Sequence, residues 1–285
     1  MDEPKDHHFV PQFYLAGWCN SNGKLKVYSR PHNRVVTSEL KPRSTGYETG
    51  LYTYTNVPDG RQQAIEKQFM RRIDNAAASA LRKLLAGSLG TIGSDERSDF
   101  TRFVLSLRAR HAGAIALAHK QGREVLLAKL AEKPEEFLAA QTDPTTSIFP
   151  ESVEKHQPHV ISNFGLLTVP SVIADDEVGK RLWGMAWWTH ELSIARADLL
   201  TSDRPCVLEG DALKGLCIIA LPLGPRMALF ISNDHTRVQL IRSLHADVVV
   251  EMVNRDIITC ADRYLYGTGP HHLALIEAAW KKHAA

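Results

Sequence analysis

The first side chain placed for chemistry is Glu66. It lies in a stretch, residues 62–85, whose apolar positions Ile65, Phe69, Ile73, Ala76, Ala77, Ala80 and Leu84 recur at helical spacing. At ~100° per residue these form a stripe about 120° wide. Glu66 falls inside it, between Ile73 and Ala77. An inward carboxylate is costly unless paired or ligated. Glu66 is therefore a candidate acid, base or metal ligand, or else half of a buried ion pair. Lys67, Arg71 and Arg82 project to the opposite side and are excluded as partners. The following helix carries His111 within its stripe, with Arg108 and Arg110 on the two edges. His111 reads as a core histidine bonded to a carbonyl. Arg108 is expected to reach the interior that holds Glu66, where it would pair with the carboxylate or clamp an anion.

A second constellation is Thr201-Ser202-Asp203-Arg204-Pro205. Pro205 biases Arg204 to extended geometry, so Asp203 sits at a strand end, where scaffolds display working side chains. Its two hydroxyl neighbours could orient its carboxylate. The bland alternative is an Asx-turn. His7 and His8 precede an apolar run; adjacent residues do not share one face, so one ligand, His8, is the expectation. Asn254 lies within an apolar helix and its amide needs partners, either Asp203 or a backbone edge, and Arg263 could serve Glu66 in the same way. His271 and His272 are expected at the surface. Trp183 and Trp187, spaced i and i+4, are expected to pack together, with a stacking platform as the minority reading. Dinucleotide-binding, phosphate-loop, HExxH and nucleophile-elbow patterns are absent.

These residues need elements to hold them. Residues 25–30 and 34–38 flank Pro31-His32-Asn33 as a short hairpin. Residues 46–55 suggest another extended stretch, and Val57-Pro58-Asp59-Gly60 a turn. After the first helix, a cap at Ser94 or Asp95 opens a second helix to about residue 120, with further helical pattern over 124–130 and 135–140. Residues 141–150 form a polar hinge. A helix is expected over 177–188, strands over 191–208 and 216–232, a helix over 240–261 and a short one over 273–282. The expected class is α+β: a β-rich arm (1–60), a helical body (62–140) and a mixed region (150–285) with a mainly antiparallel C-terminal sheet carrying the Asp203 motif, all in one domain.

The 285 residues are 44% hydrophobic, with 34 basic and 32 acidic side chains and a net charge of +2. Near-neutrality argues against bulk polyanion binding. Four scattered cysteines without a CxxC pair exclude zinc-ribbon and redox motifs. A polar start and the lack of an apolar run of ~18–20 residues point to a cytoplasmic protein without a membrane partner. Of thirteen histidines, only His8 stands out as a ligand.

The segments HHFVPQFYL (residues 7–15), AIEKQFMRRID (64–74), FVLSLRAR (103–110), LLTSDRPCV (199–207), ALPLGPRMAL (220–229) and VNRDIITCADRYLYG (253–267) together resemble the bacterial family catalogued as domain of unknown function 4238. The resemblance runs nearly the full length. It points to His8, Thr201, Ser202 and Asp203, and it supplies no reaction. Trp18 stands where the family pattern has phenylalanine and Asp74 where it has glutamate, which argues against a role for Asp74.

The function expected from these residues is metal-dependent hydrolysis of a phosphodiester, in a small phosphorylated or nucleic-acid substrate. His8, Glu66 and Asp203 would hold Mg2+ or Mn2+, Arg108 would neutralise the anion and Asn254 would support Asp203. The alternative is a binding or assembly module in which the same residues form a buried structural network.

Overall fold

The computed structural model describes residues 5–58, 60–140 and 149–282. Asp59 of the expected turn and residues 141–148 of the expected hinge lie outside the described residues. In chain order the elements are β1 (Asp6–His8), α1 (Gln12–Leu15), β2 (Leu25–Ser29), β3 (Val36–Leu40), β4 (Tyr47–Thr49), a π-helical turn (Ile65–Met70) running into α2 (Arg71–Leu85), α3 (Ser94–Ala109), α4 (Ala112–Glu132), α5 (Pro134–Ala140), α6 (Pro150–His156), α7 (Pro158–Ile173) and α8 (Asp176–Gly184). Then follow β5 (Ala186–Glu191), β6 (Thr201–Ser202), β7 (Val207–Gly210), β8 (Cys217–Gly224), β9 (Met227–Ser232), α9 (His235–Ser243), α10 (Ala246–Cys260), β10 (Tyr264–Gly267) and α11 (Leu273–Lys282). The class is α+β, and every strand pair is antiparallel.

The C-terminal half supplies the sheet β5-β9-β8-β7. Its strands alternate between two cores. Trp187, Ile219, Leu221, Leu229 and Ile231 face one, with α2 and α3. Trp188, Ile218, Ala228 and Phe230 face the other, with α10. A sheet covered on both faces reads as unbroken apolar sequence, which is why residues 216–232 show so little alternation. The Asp203 motif is not in this sheet. β6 is the edge of a second one, β3-β2-β10-β6, in which the expected N-terminal hairpin joins strands from the other end of the chain.

Three expected helices are cut. The second breaks at Arg110–His111, with His111 extended (φ −75°, ψ 157°) as the N-cap of α4. The helix expected over 177–188 stops at Gly184, and Trp187 and Trp188 belong to β5. Period two then sends these neighbours to opposite cores. Trp183 and Trp187 instead share a cation: the Arg97 guanidinium lies 5.3 Å and 4.7 Å from their ring centroids. The helix expected over 240–261 is divided at Leu244–His245. The cap of α3 falls on Gly93, one residue early, where Glu96 accepts the Gly93 N–H.

Among the described residues no helix is long and apolar enough to cross a membrane. Helices α4 and α7 meet backbone to backbone: a Cβ on Gly122 would sit 2.5 Å from Gly165 Cα.

Candidate functional site

Glu66 stands on the π-turn. The Arg71 N–H bonds the Glu66 carbonyl, i to i+5. Such a turn takes in one more residue than an α turn and marks functional sites with unusual frequency. Ile65 and Met70 of this turn are buried in the core, which pins its apolar side and leaves Glu66 half-buried. Glu66 Oε2 is buried without a hydrogen-bond partner. Burial pushes this carboxyl up to about 7; the charge of Asp74 adds to the rise, and Arg110 and Arg71 oppose it. Arg71 therefore does act on Glu66, because the wide turn breaks the uniform helical spacing that placed it opposite.

Asp74 lies on α2, and Arg110 enters from the C-terminus of α3. Arg110 is fully buried, and its Nη1 donates to Asp74 Oδ1 at 2.9 Å. Its Nε and Nη2 are buried without partners. Burial also raises the Asp74 carboxyl, against the pull of Arg110. Tyr52 Oη donates to the Arg110 carbonyl, so the tyrosine ties the turn after β4 to the break after α3.

β1 brings the histidines. His7 Nδ1 accepts the Tyr52 N–H at 2.8 Å. Its proton is thereby on Nε2, which donates to Gln63 Oε1. The ring stacks on Tyr52 at 5.3 Å between centroids. His7 is thus a pin, while His8 meets backbone at Arg43 and Pro42 and lies 5.4 Å from the Tyr47 ring between centroids. His8 Nε2 is buried without a partner, and burial lowers its pKa, with the charges of Asp6 and Asp74 working the other way.

Asp74 thus lies within electrostatic reach of both His8 and Glu66, and Arg110 pairs with it. Asp74, set aside on the family pattern, is the residue whose charge acts on Glu66. Arg108 is replaced by Arg110: Arg108 faces elsewhere and donates to the Cys206 carbonyl at 3.4 Å. Two residues on a helix point about 200° apart, so only one of the pair can face Glu66. The break at His111 turns the later one inward. Its signal was hidden because His111 carries no strong N-cap preference, although it caps α4 by accepting the Ala114 N–H at 3.3 Å. It also lies 3.4 Å from Asp262. Burial, followed by the charge of Arg204, lowers its pKa.

Asp203 is engaged otherwise. Its carboxylate accepts the backbone N–H groups of Asp262, Arg263 and Tyr264 at 2.9, 2.6 and 3.0 Å, and its own N–H donates to Tyr264 O at 3.1 Å. It binds backbone, as the Asx-turn alternative held, but backbone about sixty residues away rather than its own. The hydroxyls do not orient it. Thr201 bonds Tyr14 Oη at 2.8 Å, and Ser202 accepts the Arg204 N–H at 3.1 Å. Asn254 holds a backbone edge: Oδ1 accepts Leu200 N–H at 2.7 Å and Nδ2 donates to Asp198 O at 2.9 Å. Arg263 pairs with Glu48 at 2.7 Å, not with Glu66. His272 is buried, unlike its exposed neighbour His271.

Chemically, the cluster offers a carboxyl that exchanges its proton near neutrality, an imidazole and a buried guanidinium with unbonded donors. Glu66 and Asp74 are oxygen donors for a hard cation. Among the described residues, the ligand atoms of His8, Glu66 and Asp74 do not all lie within 4.8 Å of one another. Two carboxylates with substrate and water suit Mg2+, which seldom takes an all-protein cage.

No curated protein and no solved structure matches the chain. One family model does, over residues 6–270, which contain every residue of this cluster. The chain belongs to the family described as "Protein of unknown function (DUF4238)".

Proposed function

We propose that the His8, Glu66, Asp74 and Arg110 cluster is a metal-dependent site for hydrolysis of phosphodiesters, using Mg2+ or Mn2+. The observation that carries this reading is the buried, unpartnered Glu66 Oε2 beside a second carboxylate. Two like charges held together in a half-buried setting are relieved by a proton or a cation. In the reading, Glu66 and Asp74 would hold the cation, which when bound would supply Lewis-acid polarisation of a phosphate and activation of water. His8 would accept the proton of the attacking water as the water oxygen bonds to phosphorus and the ester P–O bond breaks, and would return that proton to the leaving oxygen. Arg110, fully buried, would hold Asp74 in place and supply positive charge behind the two carboxyl groups. Asp203, Arg108 and Asn254 have no part in it, since their polar groups serve the backbone.

The test is hydrolysis of bis(4-nitrophenyl) phosphate and of short DNA and RNA strands by the full chain, with millimolar Mg2+ or Mn2+ and with a chelator. The expected result is turnover that the chelator abolishes and that Glu66→Gln lowers about 100-fold or more, within the range for loss of one catalytic group. Absence of turnover, with a Glu66→Gln protein that is simply more stable, would favour the second reading, a binding or assembly module. The satisfied networks around His7, Asp203 and Asn254 speak for that reading.

A further inference from the structure

A separate group of side chains, sharing no residue with the Glu66 cluster, comes together at Asp198, His271 and His272. The three donor atoms all lie within 4.8 Å of one another. His271 Nε2 is 3.7 Å from Asp198 Oδ2. The spacing argument against adjacent histidines does not apply to this pair, because the 3-10 turn Pro270–His272 brings the two rings to 4.1 Å between centroids. His272 is 2% exposed and its Nε2 has no partner. We propose that Asp198, His271 and His272 form a binding site for a borderline divalent transition cation such as Zn2+, with one imidazole nitrogen from each histidine and one carboxylate oxygen.

The surroundings are built for it. Asp198 is fixed on three sides. Thr268 Oγ1 donates to Oδ2 at 2.6 Å, Arg226 Nη2 lies 2.5 Å from Oδ1, and Asn254 Nδ2 holds the backbone carbonyl. Outer partners of this kind orient a ligating carboxylate. Gly267 leaves room for the imidazole, since a Cβ there would meet His272 Cδ2 at 3.1 Å. Ligand atoms around a tetrahedral zinc lie about 3.4 Å apart, given bonds near 2.0–2.1 Å, so only small side-chain movements close the triangle. The cation class follows from charge. Arg226 already balances Asp198, so the triad offers little to Mg2+ or Ca2+, which bind through oxygen and charge. Imidazole nitrogens favour zinc and its neighbours. His271 is exposed, so the remaining coordination position opens to solvent. Asp198 lies within the matched residues 6–270, and both histidines lie just past them.

The deciding experiment is calorimetric titration of the full chain with Zn2+, alongside the visible spectrum of added Co2+. Wild type is expected to bind at the triad with a Co2+ spectrum of low coordination number. His271→Ala, which changes an exposed side chain and keeps the fold by circular dichroism, should weaken that binding about tenfold or more. Thr268→Val should weaken it less, and Glu66→Gln should leave it unchanged, which separates this site from the proposed hydrolytic one. No Zn2+ binding by wild type, or binding that His271→Ala weakens by less than that, overturns the proposal.

Discussion

Glu66 and Arg110 both keep buried polar atoms without a hydrogen-bond partner, and both set up measurable consequences. The Glu66 carboxyl stands at about 7 in the folded chain against an ordinary 4.5. A raised acid pKa means that the folded state holds its proton more tightly than the unfolded state. Stability is then greatest below the ordinary value and is lost as pH climbs from about 4.5 through about 7. At about 1.4 kcal/mol per pH unit the full effect is about 3 kcal/mol. Glu66→Gln should therefore raise the melting temperature over wild type at pH 8 and change it little at pH 4, in thermal melts without metal. Arg110→Met should cost about 3–5 kcal/mol in urea unfolding, because it strands Asp74 in a buried setting. Adding Asp74→Leu to it should restore much of that loss. Glu66 was legible in the sequence because a charge in an apolar stripe is conspicuous. Arg110 was not, because its inward turn depends on a helix break at a residue with no breaking signature.

At the scale of elements, the Asp203 motif shows how a polar triplet can be noticed correctly and read for the wrong task. Its carboxylate gathers three backbone N–H groups at the entry to β10, which joins the N-terminal hairpin to β6. Asp203→Ala leaves those donors without an acceptor, and a loss of about 3 kcal/mol or more in urea unfolding is expected, at about 1–3 kcal/mol per orphaned group. Hydrogen exchange should quicken along β10 in the same variant. The strand partners were beyond sequence reading: β6 is two residues long, and it pairs with residues 265–266, a long-range choice that local pattern does not encode. Trp187 and Trp188 misled for a related reason. Helical and strand periods coincide poorly over short apolar runs, and the turn at Gly184–Met185 decides the matter. The crossing of α4 and α7 makes a further prediction. Gly165→Ala would place a Cβ 2.7 Å from His119 Cα, so a loss of about 1–3 kcal/mol is expected from overpacking, read as a lower urea midpoint with an unchanged slope.

At the scale of the whole molecule, the chain closes on itself through strands from both ends. β1, paired with β4, is tied through His7 to Gln63 just before the π-turn and through Tyr52 to Arg110 at the end of α3. The class and the helical body followed from periodicity, and His8 and Glu66 followed from their company. The partners Asp74 and Arg110 needed the tertiary arrangement, since electrostatic coupling between a helix and the end of the next one has no local signature. Family membership extends over all of this and brings no established activity, so the chemistry rests on the cluster itself. The most direct test is the rate of bis(4-nitrophenyl) phosphate hydrolysis with Mn2+, compared between wild type and Glu66→Gln at pH 8. The account predicts manganese-dependent turnover in wild type and a loss of about 100-fold or more in the variant. No turnover in wild type, or equal rates in the two proteins, would contradict it.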